Sequence, residues 1–302
     1  MKVTRPQRSF LPENFEIDTW ENVETFFIDL ENRAIDTKEA FEKWISDQSE
    51  LEAVISEDLA WRYIKMTIDT KDKELADAYG FFVQEIQPKL EPYSFRLNKK
   101  LSASPFKSEF RDEAYKIFFR GVDTAIKLFR EENIPLNAIL AEKSQIHGAV
   151  SGAQSIEHDG EKITMQKAGS LLKENDETLR KTIFDKMAER RAEDTEQLDD
   201  LFTELIQLRH KVAANAGYEN FRDYMFDELG RFDYTKEDCF DFHQSVKDGI
   251  VPLVKQFSQK KAELMGKEKL KPWDSQVDPL GREPLKPFKD GKELLEKTIV
   301  IF

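Results

Sequence analysis

Four histidines are the side chains in this sequence best suited to bind a metal ion, namely His147, His158, His210 and His243. A helical zinc site needs two histidines four residues apart, with a glutamate beside the first as general base. No two of these four have that spacing, and none is followed by glutamate. The sequence therefore contains no HExxH motif, and we assign it neither metal ligands nor catalytic residues.

The sequence gives as little support for a nucleophilic catalytic residue as for a metal site. The single cysteine, Cys239, precedes a Phe-rich stripe, which is typical of a small apolar residue in a core. The sequence has no GxSxG turn, no P-loop and no GxGxxG run. Carboxylates crowd residues 189–200 around Arg190 and Arg191, a pattern typical of a solvated helix face.

Two stretches rich in aromatic residues are better candidates for a binding surface than the charged residues at 189–200. Residues 216–235 hold three Tyr, three Phe and two Arg, and residues 270–274 read LKPWD. A Tyr ring has an apolar body and a polar tip, so it fits either a buried hydrogen bond or a groove wall. For both stretches the pattern favours an ordered structural turn over a binding surface. The candidate channel-wall or substrate-contact residues are Tyr218, Tyr224, Arg231, Tyr234, Trp273 and Asp274.

Helices must position these residues. Apolar residues recur at steps of three and four from Trp20 onward and predict helices through most of the chain. Asp36 with Glu39 resembles a capping box, Asp176 is a second candidate cap, and Gly217 is placed to end a helix in a left-handed turn. A further helix should begin near Thr235 and run to Pro252, with the apolar stripe resuming at Leu253 and Phe257.

One segment departs from the helical pattern. Asp159-Gly160 separates two short runs, 155–158 and 161–164, and Asp-Gly between such runs predicts a β-hairpin. The predicted fold class is thus mainly α with one small β-hairpin. We predict N-terminal helical hairpins over 1–105 and a helical lobe over 106–302, with the hairpin near 150–165 and a Pro-rich strap near 271–289.

Composition narrows the range of partners. The 302 residues carry a net charge of −13, which disfavours nucleic acid and anionic membranes as partners. No run approaches the ~18 apolar residues of a membrane helix. One cysteine permits no intrachain disulfide, so we expect a reducing, cytoplasmic location.

The last four residues, 299–302, are all apolar. Such a helix end must bury its surface. We therefore expect that the chain is truncated at its C-terminal end, or that another polypeptide covers it.

Four runs in the second half of the chain resemble one family when taken together. They are GAQSIEHDGEKIT at 152–164, AGYENFRDYMFDELGRFDYTKEDCFDF at 216–242, IVPLV at 250–254 and KLKPWDSQVDPLGREPLKPF at 269–288. In this order they resemble the oligoendopeptidase F branch of the thimet-oligopeptidase-like zinc metallopeptidases. The resemblance implies a mostly helical, clam-like hydrolase that cuts oligopeptides in a closed channel. In that family the HExxH helix would lie beyond Phe302.

The resemblance implies the N-terminal portion of a zinc-dependent oligoendopeptidase. As a fragment without HExxH, the chain is expected to be inactive alone and to bind no zinc, which would belong to the complete enzyme. The implied partners are oligopeptides and the missing C-terminal catalytic half, with no nucleic acid and no membrane. The alternative is a non-catalytic helical peptide- or protein-binding module with a peptidase-like fold.

Overall fold

The computed structural model describes residues 7–282 and 285–301, the side chain of Ile301 excepted. The chain packs into two compact units. Unit 1 comprises Met1–Ala153 and Asp194–Thr235, and unit 2 comprises Gln154–Glu193 and Lys236–Phe302. The division predicted near residue 105 is not among these boundaries and stays a prediction about the organisation of the sequence.

Unit 1 is built from helices. Its α-helices are α1 (Trp20–Asn32), α2 (Lys38–Ile68), α3 (Lys73–Phe81), α4 (Gln87–Ser102), α5 (Glu113–Leu128), α6 (Ile134–Ala153), α9 (Thr195–Asn215) and α10 (Phe221–Glu228). A π-turn at Phe82–Ile86 joins α3 to α4, and short 3-10 turns lie at Pro105–Glu109 and Glu131–Asn133. The predicted helical periodicity is confirmed, although Thr37 rather than Asp36 caps α2, its hydroxyl accepting the N–H of Ala40 at 3.1 Å.

Two apolar clusters hold unit 1 together. The larger joins α1, α2, α4 and α5 through residues such as Phe27, Trp44, Leu97 and Phe119. The smaller is formed by the end of α5, the start of α6, the end of α9 and α10, and its buried members are Leu128, Leu136, Val212, Ala213, Ala216 and Tyr224. The second cluster supports the aromatic stretch of residues 216–235.

Unit 2 contains the β-hairpin. Its strands are β1 (Ser155–His158) and β2 (Glu161–Thr164), and its helices are α7 (Met165–Leu171), α8 (Glu177–Ala192), α11 (Lys236–Ser245), α12 (Val251–Leu264) and α13 (Gly291–Ile301). The strands pair antiparallel with Ile156 opposite Ile163. Asp159 and Gly160 both take positive φ, 52° and 78°, as the turn requires. The predicted hairpin is confirmed, and it is the one sheet among the described residues.

The helix predicted to end at Pro252 continues past it. A π-turn at Val246–Ile250 connects α11 to α12, and Pro252 lies in the first turn of α12. The helical backbone is continuous from Lys236 to Leu264, so Pro252 removes a backbone donor inside it, and the π-turn directly before it changes the hydrogen-bond register at that point. Asp176 caps α8 as predicted, its carboxylate accepting the N–H groups of Thr178 and Leu179.

The C-terminal helix α13 exposes apolar side chains, with Ile299 and Val300 64% and 86% exposed. The prediction for the last residues also concerns the side chain of Ile301 and all of Phe302, which lie outside the described residues. Across the helices that the structure describes, none has both the length and the apolar character needed to cross a membrane.

One carboxylate fixes the N-terminal segment that precedes α1. Glu50 on α2 accepts the backbone N–H groups of Ser9, Phe10 and Leu11 at 2.8, 3.0 and 2.8 Å. Burial alone would raise the pKa of Glu50, but these donors leave it below its usual value. Leu11 is thereby held in the larger core cluster.

Replacing Glu50 with Gln should release this segment. Glutamine has one acceptor oxygen and no charge, so residues 9–11 should lose about 1 kcal/mol or more of local protection, measured by amide hydrogen exchange. Because the folded pKa is lowered, the stabilisation is present above the unfolded value of about 4.3 and is lost as pH falls through the folded pKa. Glu42→Gln, at an exposed position of α2, is the control. Equal protection in the two variants would contradict this role.

Candidate functional site

The turn between α9 and α10 positions the first pair of candidate tyrosines. Gly217 adopts φ 87°, and the N–H of Tyr218 bonds to the carbonyl of Ala213 at 3.0 Å, as at a helix end closed by a left-handed residue. The left-handed turn predicted for Gly217 is confirmed. Asn220 then caps α10 by accepting the N–H of Asp223 at 3.0 Å.

Tyr218 belongs to a small charged cluster. Its hydroxyl donates to Oδ2 of Asp227, and Nζ of Lys127 donates to the same oxygen at 2.6 Å. Burial alone would raise the pKa of Asp227, but the bonds from Lys127 and Tyr218 leave it below normal. Burial and Asp227 raise the pKa of the Tyr218 hydroxyl, which therefore remains a donor at neutral pH.

Tyr224 is buried, with 8% of its surface exposed. Its ring stacks on Phe221 with centroids 5.8 Å apart and meets Tyr218 edge to face at 5.6 Å. Its hydroxyl lies 3.4 Å from Oε2 of Glu228. Burial, with the charges of Glu228 and Glu91, raises its pKa strongly, so the phenol stays neutral. Tyr224 lines a cavity of about 440 Å³.

Arg231 and Tyr234 follow α10 and are exposed. Both contact the ring of Phe226, the guanidinium at 5.3 Å from its centre and the Tyr ring edge to face at 5.8 Å. Arg120 on α5 holds this segment, since its guanidinium lies 4.3 Å from the centre of the Phe232 ring and pairs with Asp233 at 3.2 Å. The segment is therefore anchored to α5 by Arg120, while Arg231 and Tyr234 remain exposed.

Asp274 lies in a short 3-10 turn, Pro272–Asp274, of unit 2 and is fully buried. Both carboxylate oxygens accept from Nζ of Lys267 at 2.8 Å, and Oδ1 also accepts from Arg180 at 3.0 Å. The N–H of Lys271 donates to Oδ2 at 2.9 Å. Burial alone would raise the pKa of Asp274, but Lys267, Lys271 and Arg180 hold it below normal.

Trp273 adds further contacts between the strap and α8, the helix that carries Arg180. Its carbonyl accepts from Nε of Arg180 at 3.1 Å, and its ring packs against Phe184 with centroids 5.8 Å apart. Nζ of Lys181 lies 5.4 Å from the ring centre. Trp273 and Asp274 therefore tie the strap to α8, which is one of the two uses that the sequence left open.

The structure thus brings Tyr218 close to Tyr224, and it places Arg231 and Tyr234 against the same ring, that of Phe226. Trp273 and Asp274 belong to the other unit. Sequence reasoning missed the partners of these residues, Lys127, Asp227, Arg180 and Lys267. The pairs Lys127–Asp227 and Arg180–Asp274 join residues 100 and 94 positions apart, and no spacing rule identifies such pairs. Lys267 lies only seven positions from Asp274, but nothing in the local sequence marks it as the partner.

Within residues 7–282 and 285–301, no group of three or more His, Cys, Asp or Glu side chains is placed to hold a metal. Cys239, expected in a core, is only partly buried.

Comparisons with known families decide the relationship. The chain matches the Peptidase M3 N-terminal domain over residues 10–129 and Peptidase family M3 over residues 170–298. The chain belongs to the M3 peptidase family. Together the two matches cover most of its length, including all six candidate residues.

Solved structures show the same fold as this M3 family chain. An oligoendopeptidase F from Bacillus anthracis superposes with a TM-score of 0.86 at 21% identity, over 98% of this chain and 55% of that one. PZ peptidase A, solved with an inhibitor, gives 0.86 at 22% identity, over 94% and 50%. Oligoendopeptidase F from Enterococcus faecium gives 0.67 at 16%, over 88% and 55%. No curated protein matches by sequence.

The M3 family chain spans about half the length of the solved structures that it matches. Its mainly helical fold with one hairpin is the fold of these neighbours, so the predicted fold class is confirmed. At these identities the likeness establishes the fold alone.

The Asp274→Asn variant should destabilise unit 2. The substitution removes the anion and leaves Arg180 buried without a full charge partner, at a cost of about 3 kcal/mol. We expect loss of amide protection in α8, measured by hydrogen exchange. The wild-type contribution should be present above the unfolded pKa of about 3.9 and fall away as pH drops through the lowered folded value.

Asp278→Asn is the matched control, because Asp278 lies in the same strap and pairs only with the exposed Arg282 among described side chains. It should leave α8 unchanged. Similar protection of α8 in the wild type and in Asp274→Asn would show that the buried network does not stabilise unit 2.

Proposed function

We propose that this chain is the N-terminal portion of a zinc-dependent oligoendopeptidase that hydrolyses short peptides. One observation carries the proposal: a chain of the M3 family superposes over nearly its whole length on structures about twice as long. The catalytic zinc, which in such enzymes polarises water and the scissile carbonyl, would be held by residues outside this sequence.

An exposed apolar surface on unit 2 supports this proposal. It follows α11, the π-turn and α12, and its members are Phe242, Ile250, Leu253, Val254 and Phe257, each between 46% and 69% exposed. Contiguous apolar surface of this kind marks an interaction site in a soluble protein. We propose that the catalytic portion of the enzyme covers it.

Within the complete enzyme, the exposed tips of Arg231 and Tyr234 are the candidate substrate contacts. A guanidinium donates to peptide carbonyl groups or to a terminal carboxylate, and a phenol can donate or accept. Their shared contact with Phe226 restricts both side chains. Tyr218, Tyr224, Trp273 and Asp274 are engaged within their own units, which suits a supporting role in each unit rather than direct contact with substrate.

The test compares the 302-residue chain with the full product of its gene. We expect a full product about twice the 35.3 kDa of this chain, with one zinc and with hydrolysis of a quenched fluorescent peptide. The 302-residue chain alone should do neither. A native product of 35.3 kDa without zinc or hydrolysis would overturn the proposal and favour the non-catalytic binding module.

A substitution on the exposed face tests its proposed role. Phe257→Glu in the full product should cost about 2 kcal/mol or more of stability and lower kcat/KM, because a charge would enter a buried contact. Gln259→Glu makes the same change of charge about 200° around α12. It replaces the hydrogen bond from Gln259 to Glu263 with a like-charge pair, which should cost no more than about 0.5 kcal/mol. If both variants keep wild-type activity and thermal stability, the catalytic portion does not cover this face.

A further inference from the structure

A cavity of about 440 Å³ lies within unit 1 among α4, α5, α6, α9 and α10. Its apolar walls include Leu128, Phe129, Leu140, Phe221 and Met225. This volume lies in the range of small-molecule sites, which combine apolar walls with a few polar groups. The π-turn Phe82–Ile86 ends directly before Gln87, which also lines the cavity. Such turns are frequent at functional sites.

Two carboxylates and one phenol supply the acidic polar lining. Glu91 on α4 accepts from Gln87 at 3.4 Å, and the Tyr224 hydroxyl lies 3.4 Å from Glu228. Both distances are long for good hydrogen bonds. Burial raises the pKa of Glu91 most, and the charge of Glu228 raises it further, so these two groups repel each other even though Glu228 is exposed to solvent.

No cation of the described residues relieves this repulsion. Of the residues that line the cavity, Arg130 is the one cation. Its guanidinium donates to main-chain carbonyls of Asn215, Ala216, Lys127 and Phe129 at 2.6–3.2 Å. It is therefore committed to the backbone, and neither carboxylate of the cavity forms an ion pair with it.

The geometry points to a binding site in this cavity for a guanidinium or primary ammonium group carried on a short aliphatic chain. The cationic head would lie between Glu91 and Glu228, with the Tyr224 hydroxyl beside it, and the chain would lie against the apolar walls. A bare metal ion fits less well, because the described residues offer no group of three metal-binding side chains and much of the wall is apolar.

Two kinds of ligand carry such a cationic group on an aliphatic chain, namely a free amine and a peptide with a basic side chain. The site lies wholly within unit 1 and uses none of the surface assigned to the catalytic portion. It is therefore separate from the proposed peptidase function, and it is testable on the 302-residue chain without zinc.

The experiment is isothermal titration calorimetry of the 302-residue chain with agmatine and with an arginine-containing tripeptide blocked at both ends. Pentanoate and 1-pentanol serve as anionic and neutral ligands of similar length. We expect agmatine or the tripeptide to bind and both comparison ligands to fail. Agmatine alone would indicate a free amine, and the tripeptide a peptide side chain.

Glu91→Gln and Glu228→Gln should each weaken binding about tenfold or more, because each removes one charge next to the ligand. Glu142→Gln, at an exposed position of α6 outside the cavity, should bind as the wild type does. Thermal unfolding of each variant verifies the fold, and Glu91→Gln should fold normally because burial already disfavours its charge.

A carboxyl NMR titration adds an independent readout. Saturating ligand should lower the pKa of Glu91, and affinity should fall as pH drops through that pKa, since Glu91 becomes neutral while the ligand and Arg130 stay charged. Absence of binding by both cations would overturn the inference. Equal binding of pentanoate, or unchanged affinity in the Glu91→Gln/Glu228→Gln double variant, would do the same.

Discussion

Unit 2 depends on one buried carboxylate. Asp274 has no exposed surface, and two cations and one backbone N–H donate to it. Arg180 extends the same network by donating to the carbonyls of Glu174 and Asn175. A buried network of this kind adds little net stability over apolar packing. Any other placement of the strap, however, would leave Asp274 or Arg180 as a buried charge without its partner. The network therefore specifies one position for the strap against α8.

Rules that depend on neighbouring residues predicted most of the helices and turns. Period and capping residues predicted the helices, the turn at Gly217 and the cap at Asp176, because each depends on neighbours within a few positions. Asp-Gly predicted the hairpin for the same reason. The π-turn before Pro252 escaped prediction, since a proline inside an apolar period has the same appearance whether it ends a helix or begins the next segment.

The candidate site was predictable only in part. The run of Tyr and Arg marked residues 216–235 as unusual, but two of the groups that surround these side chains, Lys127 on α5 and Glu91 on α4, lie far away in sequence. Apolar periodicity also predicts which face of α12 forms an apolar contact, but it does not show which part of the protein covers that face. Phe257 obeys the helical period and is still 69% exposed, so a period indicates a contact but not whether the contact lies within the same chain.

The order of the two units along the chain has a consequence for synthesis on the ribosome. Unit 1 closes only with Asp194–Thr235, after the hairpin and α8 of unit 2 have been made. The larger core of unit 1 needs residues up to about α5 and can form early. Leu128 and Leu136, however, must wait for Val212 and Tyr224. A nascent chain paused between these segments would expose Leu128 and Leu136 of the smaller core cluster, and we expect chaperones to engage the chain during that interval.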